Sequence, residues 1–157
     1  MEIIKADNDP ENKLRQKCNL VETLDESHLD LIFQMEKIII DSRAYGLSAN
    51  QVGILERVFI INKGTLSRPD FLIMFNPTLT PKTTIKKLNL EGCLSIPDKS
   101  GYVLRYESIE VKYYVPSPDL KTLDKRKLKA VGLLSSIIQH EIDHLNGILF
   151  TDKIALK

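Results

Sequence analysis

Apolar residues recur at helical spacing in two stretches of the chain, one toward each end, with shorter β-like runs between them. Toward the C-terminus Val131, Leu133, Leu134, Ile137, Ile138, Ile142 and Leu145 form the stripe of a helix packed on a core. Asn146-Gly147 closes the pattern, because glycine at or just past the last turn is the usual stop, so a helix is predicted over about 131–146. Between residues 24 and 44, Leu29, Leu31, Ile32, Met35, Ile38 and Ile39 have the same periodicity. Asp25 or Ser27 can serve as its N-cap, with Asp30 in the capping-box position after Ser27. Five β-rich runs lie between the helices, at residues 57–61, 71–75, 84–90, 102–106 and 109–115. Turn signals separate them at Asn76-Pro77, Thr80-Pro81, Lys99-Ser100-Gly101 and Pro116-Ser117-Pro118-Asp119. Strands gathered between an early and a late helix predict an α+β fold with mostly antiparallel pairing, not alternating βαβ units. The chain has 157 residues and no repeat or linker, so residues 1–157 read as one domain with its own core.

The late helix also carries the chemistry. His140-Glu141-Ile142-Asp143-His144 is an H-E-x-x-H motif, and residues i and i+4 share a helical face, so both imidazoles can reach one ion. Glu141 then lies beside that ion as a potential base. The plain alternative is two half-exposed histidines on an amphipathic helix. Gln139 and Asp143 are candidates to orient the imidazoles, since a ligating histidine normally donates its other N–H to a partner. A catalytic metal usually has three protein ligands and one open position, so a third ligand is required. After His144 the only acid or histidine is Asp152, which makes the tail a weak source. Upstream, Cys93 stands in Glu91-Gly92-Cys93-Leu94-Ser95-Ile96-Pro97, and a thiolate suits zinc and ferrous iron alike. Cys93 can equally be a small buried hydrophobe, and Cys18, set among polar residues, reads as a bystander.

Two of these stretches, Gln139 to Gly147 and Glu91 to Ser95, resemble two of the three signature motifs of the peptide deformylases. The third motif is present in altered form as Ala44-Tyr45-Gly46-Leu47-Ser48-Ala49-Asn50-Gln51-Val52-Gly53, and the resemblance covers about residues 14–154 in matching order. It implies mixed β-sheets wrapped around a central helix that bears the two histidines. It further implies a divalent metal held by Cys93, His140 and His144: Fe²⁺ in the cell, with Zn²⁺, Ni²⁺ or Co²⁺ possible in purified protein. The implied reaction is hydrolysis of the formyl group from N-formylmethionyl nascent peptides, with release of formate. Glu141 would move the proton, while the Gln51 side chain and the Leu94 backbone N–H would stabilise the oxyanion. Gly46 and Gly92 would contact the peptide backbone. Tyr45, Asn89, Glu91, Leu133, Ser136 and Ile137 would surround the methionine side chain. Tyr45, Asn89 and Ser136 are bulkier or more polar than the usual aliphatic lining, Ala44 replaces a glycine and Ser48 an alanine, so a strict methionine preference is in question. Glu91, if buried, needs a partner, and the family pattern points to Arg105. The sequence stops at Lys157, without the further helix that some bacterial members use on the ribosome. That pattern resembles a short, organelle-derived or virus-encoded form with weak or transient ribosome docking.

A net charge of +1 gives no general argument for DNA or an anionic membrane, and the run Asp124-Lys125-Arg126-Lys127-Leu128-Lys129 reads as a solvated strand or loop face. The first residues lack the apolar core of a signal peptide, and no stretch approaches eighteen apolar residues. Two cysteines so differently placed argue against a disulfide and for a reducing cytoplasm, that of the host if the chain is virus-encoded. Two other readings make separate demands. A zinc peptidase would have its third ligand elsewhere and leave Cys93 dispensable, and a binding module without catalysis would have lost Glu141 or Gln51, which this chain keeps.

Overall fold

Helix α2 (Gly132–Leu145), which carries the two histidines, packs against strands of two separate sheets. The computed structural model describes residues 1–156. The other elements are α1 (Glu26–Ser42) and strands β1 (Gly46–Ser48), β2 (Val58–Asn62), β3 (Phe71–Pro81), β4 (Lys86–Cys93), β5 (Ile96–Tyr106), β6 (Ser108–Pro116), β7 (Leu123–Val131) and β8 (Ile154–Leu156). A five-stranded sheet has the order β1-β2-β3-β6-β7, and a three-stranded sheet the order β4-β5-β8. Neighbouring strands pair antiparallel throughout, and among the described residues parallel pairing is confined to an isolated bridge, Asn19 with Glu56. This is the expected α+β architecture around a central histidine-bearing helix.

Strand β2 shows why the layers assemble this way. Val58 and Ile60 point into a core shared with Leu31, Met35 and Ile39 of α1, while Phe59 and Ile61 point into a second core shared with Ile138 and Leu145 of α2. Covered on both faces, the strand reads as an unbroken apolar run rather than an alternating one. Its side chains from Val58 to Ile61 are all buried.

Several boundaries differ from the expectation, each for a local reason. The α1 cap is Asp25, whose carboxylate accepts from Ser27 N at 2.9 Å and His28 N at 3.3 Å. His28, not Asp30, completes the box, and Asp30 instead takes the Gln34 amide at 2.5 Å one turn on. Asn76-Pro77 does not end β3 but lies inside it, whereas Thr80-Pro81 closes the strand as expected. Asn76 takes a left-handed φ of 48° at a register shift between Phe75 and Thr78, and its side chain bonds the backbone N–H and carbonyl of Val21. Likewise Lys99-Ser100-Gly101 is strand. The β4–β5 connection is the two-residue turn Leu94-Ser95, with Cys93 opposite Ile96. The basic run over 124–129 forms most of β7, with Lys125, Arg126, Lys127 and Lys129 exposed. Short strands β1 and β8 had no readable pattern.

Candidate active site

Helix α2 and the end of β4 bring three potential ligands together. His140 Nε2 and His144 Nε2 are 3.1 Å apart, Cys93 Sγ is 3.3 Å from His144 Nε2, and all three donor atoms lie within 4.8 Å of one another. A tetrahedral ion with ordinary bond lengths spaces two nitrogens about 3.3 Å apart and a sulfur and a nitrogen about 3.6 Å, so this donor set fits one ion. Both cysteines are free thiols. Cys18 is buried, with no role at this cluster; burial pushes its thiol up to about 11.

Behind the ligands runs a chain of alternating charges. His140 Nδ1 faces Glu91 Oε2 at 2.8 Å, so Glu91, and neither Gln139 nor Asp143, orients this imidazole. Arg105, 2% exposed, donates to Glu91 through Nε at 2.7 Å and through a terminal nitrogen at 2.8 Å, and to Asp143 at 2.5 Å. Lys153 closes the chain on Asp143 at 2.7 and 2.8 Å. Gln139 turns to the backbone N–H and carbonyl of Tyr106 instead. Burial alone would raise the Glu91 pKa, but Arg105 and His140 hold it down at about 2. Burial likewise opposes protonation of His140, yet its hydrogen bonds to Cys93 and Glu91 raise it to about 10, while burial and His140 hold His144 well below the usual value. A cation held by these donors competes with the proton on His140. His144 Nδ1 is buried without a partner among the described residues.

Glu141 is 3% exposed, and burial pushes its carboxyl up to about 7. Its Oε2 has no hydrogen-bond partner among the described residues. Strand β1 presses against it: a Cβ on Gly46 would lie 2.6 Å from Glu141 Oε1. Gln51, on the 3₁₀ turn Ala49–Val52 that follows β1, directs Nε2 at Cys93 Sγ (3.3 Å) and Ser95 Oγ (3.1 Å). Its Oε1 accepts from Ser48 N at 3.0 Å, which fixes the amide orientation. Asn50 ties the same turn to α2 through a 2.8 Å bond to the His144 carbonyl.

These groups open onto a cavity of about 500 Å³. Gln51, Cys93, Leu94, His140 and Glu141 line it, as do Tyr45, Gly46, Asn89, Glu91, Gly92, Leu133, Ser136 and Ile137. Tyr45 (65% exposed) and Leu133 (61%) form an open apolar rim rather than a closed wall. Ser48, Asn50, Ser95 and Lys5 also support or line the site, and none stood out in the sequence. Ser48, Asn50 and Ser95 fall within the family-like stretches, Ser48 as a departure from their pattern, but carry no assigned role there.

Hydrolysis under the control of a bound metal is what this arrangement can perform, and fold and site together are those of a metallohydrolase. Known proteins narrow the class. The family profile described as polypeptide deformylase matches residues 1–157. The chain is 38% identical over 152 residues to the peptide deformylase of Helicobacter hepaticus, covering 94% of this chain and 81% of that one. It is 37% identical over 153 residues to that of Alkaliphilus metalliredigens, with 97% and 95% covered. Among solved structures, a probable peptide deformylase from Synechococcus phage S-SSM7 superposes with TM-score 0.85 at 38% identity, over 98% of this chain and 99% of that one. The peptide deformylase of Plasmodium falciparum gives 0.86 at 32%, over 98% and 86%. The chain belongs to the polypeptide deformylase family, metalloenzymes that remove the N-terminal formyl group from nascent peptides.

Proposed function

We propose that Cys93, His140 and His144 hold a single divalent cation, Fe²⁺ in the cell, and that Glu141, Gln51 and Leu94 carry out deformylation around it. The convergence of those three donors beside a buried carboxylate is the observation that carries this reading. The bound ion supplies Lewis acidity and lowers the pKa of a water toward neutrality. Glu141 takes the proton of the attacking water and returns it to the departing α-amino group. Burial, which favours the neutral form of its carboxyl, favours uptake of that proton. Water adds to the formyl carbon, the carbon–nitrogen bond breaks, and formate and a free amino terminus result. One Gln51 Nε2 hydrogen, the other staying on Ser95 Oγ, and the Leu94 N–H donate to the formyl oxygen as it gains charge.

Gly46 and Gly92 flank the peptide backbone, and at Gly92 a Cβ would meet only Lys99 O, at 3.8 Å, which leaves room for a second chain. The side chain of the formylated residue lies among Tyr45, Asn89, Glu91, Leu133, Ser136 and Ile137. Because Tyr45 and Leu133 form a rim open to water, methionine is preferred only moderately, each methylene lost being worth about 0.8 kcal/mol. The free thiols suit a reducing cytoplasm, and among the described residues no helix is long and apolar enough to cross a membrane.

The test is formate release from a formyl-Met-Ala peptide by protein loaded with ferrous, nickel or zinc ion without oxygen, with metal content measured in Cys93→Ala. Turnover in the wild type with loss of metal in the variant is expected. Full metal retention by Cys93→Ala would remove the thiolate from the ligand set.

A further inference from the structure

The segment Ile4-Lys5-Ala6, near the N-terminus, reaches across the active site. Ile4 N donates to the Gln51 carbonyl at 2.8 Å, and Ala6 N donates to the Ser95 carbonyl at 2.8 Å. Between them, Lys5 extends its side chain into the cavity wall and donates from Nζ to the Leu94 carbonyl at 2.7 Å. Three successive residues therefore clamp the two separate turns that present Gln51 and Leu94. Among the described residues no carboxylate lies within 4 Å of Lys5 Nζ, so its charge is not cancelled by an ion pair.

We propose that Lys5 is a positioning residue for deformylation, fixing the Leu94 turn so that the Leu94 N–H meets the oxyanion. The proposal rests on the assignment of Gln51 and Leu94 as oxyanion donors. A donor serves a developing charge only if it is held within about 0.5 Å of the productive position. Leu94 belongs to a two-residue turn at the mouth of a cleft, where its own hairpin fixes the strand ends but not the tilt of the peptide plane. A bond from an ammonium is stronger than a neutral one, and gripping the Leu94 carbonyl holds the Leu94–Ser95 peptide plane, which meets the Cys93–Leu94 plane bearing the N–H at the Leu94 Cα and so limits its tilt. The backbone bonds of Ile4 and Ala6 hold the ends of the segment, so they survive substitution at residue 5 and leave the fold intact.

Lys5→Met keeps the length and apolar stem of the side chain and removes the donor and charge; Lys5→Arg restores both. Lys5→Met should lower kcat about tenfold, less than the 10² to 10³ expected for deleting a donor outright. KM should stay within about twofold, and metal content and Tm should match wild type. The Leu94 amide resonance should shift in Lys5→Met and return toward its original position in Lys5→Arg, together with most of the lost kcat. Wild-type kcat in Lys5→Met, a KM increase without a kcat decrease, or a loss of kcat that merely follows a loss of metal or Tm would each overturn the proposal. Gln51→Ala, run alongside, separates the two levels. If it loses about 10²-fold while Lys5→Met loses nothing, only the role of Lys5 fails. If Gln51→Ala keeps its kcat, the oxyanion assignment fails and the role of Lys5 with it.

Discussion

Gly46→Ala should damage catalysis far more than folding, and the structure gives the size of the perturbation. The new Cβ would lie 2.6 Å from Glu141 Oε1, 3.1 Å from Cδ and 3.3 Å from Cγ. Non-bonded heavy atoms rest about 3.5 Å apart, so the carboxylate must withdraw by roughly 0.5 to 1 Å. Gly46 is not in the left-handed region, so alanine adds no backbone strain, and the atom that must yield is the end of a side chain. Tm should therefore change by only a few degrees, as for a change near 1 kcal/mol. Catalysis depends on where that carboxylate stands, and a misplacement of about 1 Å can cost about 10²-fold. The expected result is a kcat lower by about 10- to 100-fold with metal content unchanged, read from formate release at saturating formyl peptide. Wild-type kcat in Gly46→Ala would refute the reasoning. A higher KM at unchanged kcat would assign the glycine to the substrate backbone alone.

Other perturbations separate the remaining groups. Glu141→Gln should keep its metal and lose about 10² to 10⁴ in kcat, the usual worth of a positioned general base; loss of metal, or full activity, would exclude Glu141 as the base. Arg105→Met leaves Glu91 and Asp143 buried without their shared cation and should destabilise the protein by about 3–5 kcal/mol in urea titration; a change below about 1 kcal/mol would count against the buried charge chain. The folded-state pKa of Cys18 is raised from 9.0 to about 11, so the folded state holds its proton more tightly than the unfolded state. Stability from this group is complete below pH 9 and should fall between pH 9 and 11 by about 2–3 kcal/mol, a slope that Cys18→Ala should lack if the assignment is right. The ferrous form should lose activity in air while the nickel form persists, because iron and thiolate are both open to oxidation; equal decay of the two would contradict the metal assignment.

What was legible in the sequence was local. The H-E-x-x-H helix could be read because its spacing and its apolar stripe repeat within one element. Cys93 was ambiguous from its residues alone and gained a role only from the resemblance of the stretch around it. The group that orients His140 was sought on its own helix, at Gln139 and Asp143, but it is Glu91 from β4. Periodicity says nothing about a partner 49 positions away. Turn chemistry misled at Gly101, which pairs with Glu91 within β5 at a point where a Cβ would meet the Ile154 side chain at 2.7 Å. The glycine marks a close approach of β8, not a reversal of the chain. Asn76 likewise looked like a turn and proved to be a bulge whose side chain binds a distant backbone. The exposed position of Tyr45 depends on where β1 meets the rim of the cleft, which no single stretch of sequence encodes.

The contacts that assemble this site are among the longest-range in the molecule. Asn50 reaches the His144 carbonyl across 94 positions, Lys5 reaches Leu94 across 89, and Cys93 meets His144 across 51. Loops of that length close only after the intervening strands have paired, so a nascent or refolding chain passes through its early collapse without a working centre. The first turnover then marks the completion of folding. In a stopped-flow refolding experiment, activity should return with the slowest phase rather than with the first gain of secondary structure.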